Sequence, residues 1–136
     1  MKWAITIMIF LITLCKFAMA HQFEESYDPN TEITIKGKIA EIVQRQHGPV
    51  IIGISKQDKI YYVLTAPSWY IEQEKIELKL GDEVVLHGAK FFSRKGELFI
   101  IARSIHNIST GKIYSFRDKY MKPCWRGKGN RKFIHQ

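Results

Sequence analysis

Ile60-Tyr61-Tyr62-Val63-Leu64-Thr65-Ala66-Pro67-Ser68-Trp69-Tyr70-Ile71-Glu72-Gln73-Glu74-Lys75-Ile76 decides the fold, because the pattern changes its period partway through. Ile60 to Thr65 is rich in β-branched and aromatic residues, which fit a pleated, half-buried surface. Ile60, Tyr62 and Leu64 share one face and Tyr61, Val63 and Thr65 the other, the period-two signature of a strand. Pro67 ends that strand, since it has no N–H to donate to a ladder. The residues after it suit one or two helical turns, with Ser68 as a candidate N-cap.

Working outward, Lys56 to Lys59 is a polar four-residue turn, so Val50–Ser55 is the hairpin partner of Ile60–Thr65. Gln46-His47-Gly48-Pro49 breaks the chain before it. Thr31 to Arg45 alternates, with Ile33 and Ile35 inward and Thr34 and Lys36 outward, and Gly37 predicts a bulge or sharp bend. Downstream, Leu78 and Leu80 lead into a tight turn at Gly81-Asp82. Glu83–Phe92 is a fourth strand with Val84 and Leu86 inward, Ser93–Gly96 a hairpin loop, and Glu97–Ile105 a fifth strand. Three strands, a short helix and two strands is the OB-fold's order: an all-β, five-stranded Greek-key barrel with a helix between strands three and four. The barrel is expected over 31–107, and domains of about that size fold without staples.

The flanks add a compartment. The chain has 136 residues, 25% charged and 46% hydrophobic, which suits one globular domain and excludes a two-domain enzyme or a multi-span membrane protein. Lys2, the apolar run Trp3–Cys15 and Ala18-Met19-Ala20 read as a signal peptide over 1–20, cut after Ala20. The run is shorter than the roughly 20 residues a membrane-spanning helix needs. A retained anchor is the alternative; lipidation at Cys15 is disfavoured by Leu14. The expected mature protein is periplasmic, begins at His21, and has a polar lead-in over 21–30 with a turn at Tyr27-Asp28-Pro29. Cys124 is then its one cysteine, without an intrachain partner in an oxidising compartment. Pairing between chains, metal ligation and half-burial beside Trp125 all remain open for it.

The net charge of +8 is concentrated in the tail. From His21 to Gly111 there are 11 Lys/Arg against 12 Asp/Glu, whereas Lys112–Gln136 carries eight Lys/Arg against Asp118 alone. The segment 108–136 is therefore a basic C-terminal extension, expected to be disordered from about Gly127. Within it, Lys112–Phe116 alternates and is expected to lie along the barrel, with Trp125 as an anchor. Such a tail can meet anionic lipid at about 1 kcal/mol per charge, or simply keep the protein in solution.

Catalytic patterns are absent. The histidines, His21, His47, His87, His106 and His135, stand at no metal-motif spacing, although His87 and His106 can approach across a hairpin. There is no Cys-x-x-Cys-His, which excludes covalent haem attachment, no Gly-x-Ser-x-Gly and no phosphate-cradling glycine loop. Glu72, Glu74 and Glu77 are spread around the helix, without the shielding that general acid–base work requires. No catalytic residue, metal or cofactor is expected. What remains is the fold's usual ligand face, strands two and three with the loops after strands one and four. It offers Arg45 and His47 from one loop, Tyr61 and Val63 from strand three, and Arg94 and Lys95 from the other loop. The tail adds Arg117, Trp125 and Arg126. Cations flanking an aromatic make an anion-binding or stacking platform. The expected function is a monomeric, non-enzymatic binding module for a periplasmic protein or anionic ligand. A metal- or redox-linked accessory protein using Cys124 and histidines is one alternative, and a single-stranded nucleic-acid binder another. The last fits least, since the periplasm offers lipid, peptidoglycan and acidic proteins but rarely DNA.

Tyr27-Asp28-Pro29, Thr31-Glu32 and Ile35-Lys36-Gly37-Lys38-Ile39 resemble the opening of a family of small exported bacterial OB-fold proteins. Leu64–Tyr70, Gly81–Val84, Ile101–Arg103, Phe116-Arg117-Asp118 and Pro123-Cys124-Trp125 continue the likeness, roughly from Tyr27 to Gly127. More distantly the chain resembles periplasmic OB-fold proteins linked to stress tolerance, and OB-like magnetosome proteins. The resemblance implies the barrel and export; a nucleic-acid-binding role comes with it only by inheritance from the fold. One departure is plain. Where the family tail reads Asp-x-x-Gly-x-Pro, this chain has Asp118-Lys119-Tyr120-Met121-Lys122-Pro123.

Overall fold

The computed structural model describes residues 27–126. The signal peptide 1–20, the cut after Ala20, the lead-in up to residue 26, His21, His135 and the disorder expected from Gly127 lie outside the described residues. Among the described residues, 27–126, no helix is long and apolar enough to cross a membrane. The strands are β1 (Glu32–Val43), β2 (Pro49–Lys56), β3 (Lys59–Pro67), β4 (Glu83–Phe92), β5 (Leu98–Asn107) and β6 (Lys112–Ser115); the helix α1 (Ser68–Gln73) lies between β3 and β4. Their order in the sheet is β3-β2-β1-β4-β5-β6. β3 returns to β5 in parallel through Val63↔Ile100 and Leu64↔Ile101, closing a five-stranded barrel. The expected fold class is the one the chain adopts.

β1 belongs to both halves of the barrel. It pairs with β4 from Glu32 to Lys38 and with β2 from Lys38 onward. Gly37 permits the crossing: a Cβ there would stand 2.3 Å from the Ser55 carbonyl oxygen. The bulge itself falls later, between Ile39 and Glu41. Ile39 is instead held by the Gly81-Asp82 turn, donating to the Asp82 carbonyl at 2.9 Å and accepting from the Gly81 N–H at 2.8 Å. Gly88 plays the same part between β4 and β5, where an added Cβ would meet the Ile101 carbonyl oxygen at 2.4 Å. Ile35, Ile39, Ile52, Ile54, Val84 and Leu86 point into the core, as the alternation requires.

Ser68 does not cap the helix. Pro67 occupies the N-cap position with no side-chain hydrogen bond, and the Ser68 hydroxyl donates to the Arg45 carbonyl at 3.4 Å. The cap site is spent instead on tying the helix start to the β1–β2 loop.

The barrel strands end at Asn107, and the extension that follows packs on them through Trp125. β6 pairs antiparallel with β5 from Asn107↔Lys112 to Ser104↔Ser115, so the alternating tail segment does lie along the barrel. Phe116 is fully buried, its N–H donating to the Arg103 carbonyl at 2.8 Å. Trp125 is buried against Tyr70, ring centroids 5.7 Å apart. Between them a tight turn reverses the chain. The Met121 N–H donates to the Asp118 carbonyl at 3.0 Å, and Asp118 Oδ1 accepts from the Tyr120 and Lys122 N–H groups at 2.8 and 3.0 Å. Met121 adopts φ 64°, the left-handed region that favours glycine.

Candidate binding face

The outer face of β1–β2–β3 is set by register. Across the three strands run the rows Lys38–Ser55–Ile60, Glu41–Gly53–Tyr62 and Val43–Ile51–Leu64; Leu64 in the last row is buried, so the open part of β3 ends at Tyr62. Gly53 leaves a shallow seat in the middle row. A Cβ there would lie 3.0 Å from Ile60 Cγ2, 3.2 Å from Glu41 Cβ and 3.5 Å from Tyr62 Cε1. The Tyr62 ring therefore leans over bare backbone, in the same cross-strand row as Glu41. The Glu41 carboxylate raises the phenol's pKa, through its hydrogen-bonding influence first and its charge second. Val43 and Ile60 are each 44% exposed and Tyr62 36%, so a preset aromatic sits among open aliphatic side chains.

Strand three presents the opposite phase from the one expected. Tyr61 lies opposite Ile54, packs on the core and is half-buried, and Val63 is fully buried. Tyr62 is the outward aromatic. Alternation alone could not choose, because both faces of Ile60–Thr65 are apolar. The hairpin does choose: Lys56 pairs with Lys59, which sets inward Ile54 against Tyr61 and small Gly53 against Tyr62. The glycine opposite an aromatic was the signal that could have found it.

Loops supply the charge. Arg45 and His47 belong to the β1–β2 loop, which adjoins the helix start through the Ser68–Arg45 bond. Arg94 and Lys95 are exposed in the β4–β5 loop, closed by the Ser93 N–H donating to the Glu97 carbonyl at 2.9 Å. Since β3 and β5 run parallel, this second loop lies at the Lys59 end of β3 and the first at the Pro67 end. Cations thus bracket a strand about 26 Å long. Lys56 and Lys59, facing each other, add to the Arg94–Lys95 end.

The tail residues are placed elsewhere. Arg117 is buried, donates through Nη1 to the Met121 carbonyl at 2.8 Å and lies 5.0 Å over the Tyr27 ring. Trp125 is core, and Arg126 is exposed just after it.

Other chemistry-bearing groups form two small sets. The Tyr27 hydroxyl donates to Glu32 Oε1 at 2.5 Å, and Arg103 Nε reaches the same oxygen at 2.7 Å. Burial, then the bond to Glu32, drives the Tyr27 pKa well above the ordinary phenol range. Tyr70 is pushed up to about 12, mainly by burial and then by neighbouring Cys124 and Glu74. Both shifts favour the neutral phenol, the opposite of what a base or nucleophile needs. Cys124 is present as a half-buried thiol, hydrogen-bonded with Tyr70. His87 and His106 do share the outer face of β4–β5 as diagonal neighbours, with His87 Nδ1 2.9 Å from the Thr34 hydroxyl. Among the described residues no group of three or more His, Cys, Asp or Glu is arranged to hold a metal ion.

A closed barrel of five strands with one helix between β3 and β4 defines an OB-fold module. The MamS/MamX magnetosome protein family matches residues 31–110, which is the barrel, and this chain belongs to that family. The match falls on the magnetosome branch of the resemblances drawn from sequence. No curated protein matches the chain. Among solved structures it is similar to the mitochondrial single-stranded DNA binding protein Rim1 from S. cerevisiae, at 14% identity and a TM-score of 0.46, over 61% of this chain and 94% of that one. It is also similar to the S. pombe Stn1-Ten1 complex, at 19% identity and a TM-score of 0.45, over 76% and 70%. A third likeness is to asparaginyl-tRNA synthetase from Pyrococcus horikoshii, at 13% identity and a TM-score of 0.47, over 62% of this chain. The chain spans only 21% of that enzyme's length. None of these likenesses bears on what this chain binds.

Proposed function

We propose that this protein is an exported, non-enzymatic binding module that holds a periplasmic protein or anionic ligand on the outer face of β1–β2–β3. The observation that carries the reading is Tyr62, seated over Gly53 on a strand bracketed by two cation-bearing loops. An aromatic held in place loses little entropy on binding, and cations at both ends favour an elongated anionic partner. Export rests on the leader-like sequence of 1–20.

The test is an NMR titration of the purified chain with poly-L-glutamate, oligo(dT) and phosphatidylglycerol vesicles in turn. The reading expects at least one probe to shift the amides of Gly53, Ile60, Tyr62 and the 94–95 loop. Shifts confined to the tail after Lys112, or none with any probe, would refute it.

A further inference from the structure

This inference deepens the proposed reading and rests on it. β3 is paired on both sides only at Val63 and Leu64, where β5 joins it. From Lys59 to Tyr62 its one strand partner among the described residues is β2. A sheet edge of this kind presents a row of N–H and C=O groups to any strand laid beside it. The hairpin before it is stiff, because Gln57 and Asp58 both take left-handed φ, 48° and 63°, the turn that matches strand twist. The edge is therefore held extended at its start.

Its surroundings select the newcomer. Lys56, Lys59, Arg94 and Lys95 gather at this end, against Asp58 and Glu97. Ile60 and Tyr62 stand outward on alternate positions and remain open to solvent. We propose that Lys59–Tyr62 accepts an extended acidic segment of a partner protein as an added strand. Main-chain bonds would hold it, its apolar residues would alternate onto Ile60 and Tyr62, and its carboxylates would face the four cations. Peptide recognition at sheet edges works in this way, backbone for affinity and alternate side chains for specificity. A nucleic-acid strand suits the site less. It needs a succession of stacking rings, and Lys59–Tyr62 offers Tyr62 as its one outward ring.

The experiment uses the full chain and a labelled seven-residue peptide alternating glutamate with valine. Two further versions carry N-methyl groups on either the glutamate or the valine amides. Only one alternate set of amides can face the β3 edge. One methylated version should therefore bind at least about tenfold more weakly, from roughly two lost hydrogen bonds near 1 kcal/mol each, while the other binds nearly normally. Lys59→Glu should weaken the unmodified peptide by about tenfold as well. Equal binding by all three peptides, equal loss for both methylated versions, or indifference to Lys59→Glu would overturn the proposal. If an eight-nucleotide oligo(dT) or phosphatidylglycerol vesicles shift the face residues while the peptide does not, the binding face stands and the added strand falls. If no probe shifts them, both fall.

Discussion

Met121 is a non-glycine residue in a place built for glycine, and the cost of that can be measured. Its φ of 64° is imposed from both sides. Asp118 accepts three backbone N–H groups, two through its side chain and one through its carbonyl, and Arg117 Nη1 clamps the Met121 carbonyl at 2.8 Å. An L-residue held in the left-handed region costs roughly 1–2 kcal/mol. Glycine escapes that cost but loses about 0.5–1 kcal/mol more chain entropy on folding. The half-buried Met121 side chain also gives up some contact when removed. Met121→Gly should therefore stabilise by about 0.5 kcal/mol, whereas Met121→Val, whose branched Cβ crowds the backbone further, should destabilise by about 1 kcal/mol or more. The two variants should differ by roughly 1.5 kcal/mol, or about 6 °C or more in melting temperature for a folded unit of this size. Thermal melts followed by circular dichroism read the difference directly. A glycine variant less stable than the valine one, or valine equal to the native chain, would refute the reasoning.

Four other outcomes follow from the packing. Gly88→Ala should destabilise by about 2 kcal/mol or more, because its Cβ meets the Ile101 carbonyl oxygen at 2.4 Å and backbone must move; a urea midpoint within error of native would contradict this. Trp125→Ala should cost about 3–5 kcal/mol by emptying a core site, and a chain ending at Asn107 should show no cooperative melt; a sharp transition in that truncation would make the tail dispensable. Tyr27 and Tyr70 both have raised pKa values, so the folded state favours their neutral forms. Their contribution is complete below the ordinary tyrosine value of 10.0 and is lost as pH rises through Tyr70's value of about 12. Ultraviolet titration, with each assigned through its Phe variant, should show Tyr27 and Tyr70 ionising late and together with unfolding; ionisation of both near pH 10 in the folded protein would sink the claim.

The barrel was legible because its strands are punctuated by chemistry. Pro67, Gly48-Pro49 and Gly81-Asp82 stop the chain where a strand must end, and Ile35, Val84 and Leu86 repeat at period two. The phase of β3 was not legible locally, since Tyr61 and Tyr62 are equally apolar; it is settled by a partner strand, through Gly53. Gly37 marked the bend in β1, but the bulge sits at Ala40, where side-chain size offers no cue. The tail's docking was legible in the alternation of Lys112–Phe116 and in Trp125, although charge dominates its composition. Phe116 and Trp125 are separated by polar turn residues, and burial of those two rings outweighs the charge around them. Arg117 was taken for a surface cation and serves instead as the clamp of a turn.

The barrel's ring is fastened at one clasp, the two parallel pairs Val63↔Ile100 and Leu64↔Ile101, joining segments far apart in the chain. Every other seam is a longer antiparallel ladder. Breathing of the cylinder therefore concentrates there, so whichever of the Ile100 and Ile101 amides faces β3 should surrender its proton to solvent sooner than equally buried Ile52 or Leu86. A segment zipped onto Lys59–Tyr62 would lie directly against that clasp and slow the exchange, so occupancy of the edge would register as rigidity inside the protein.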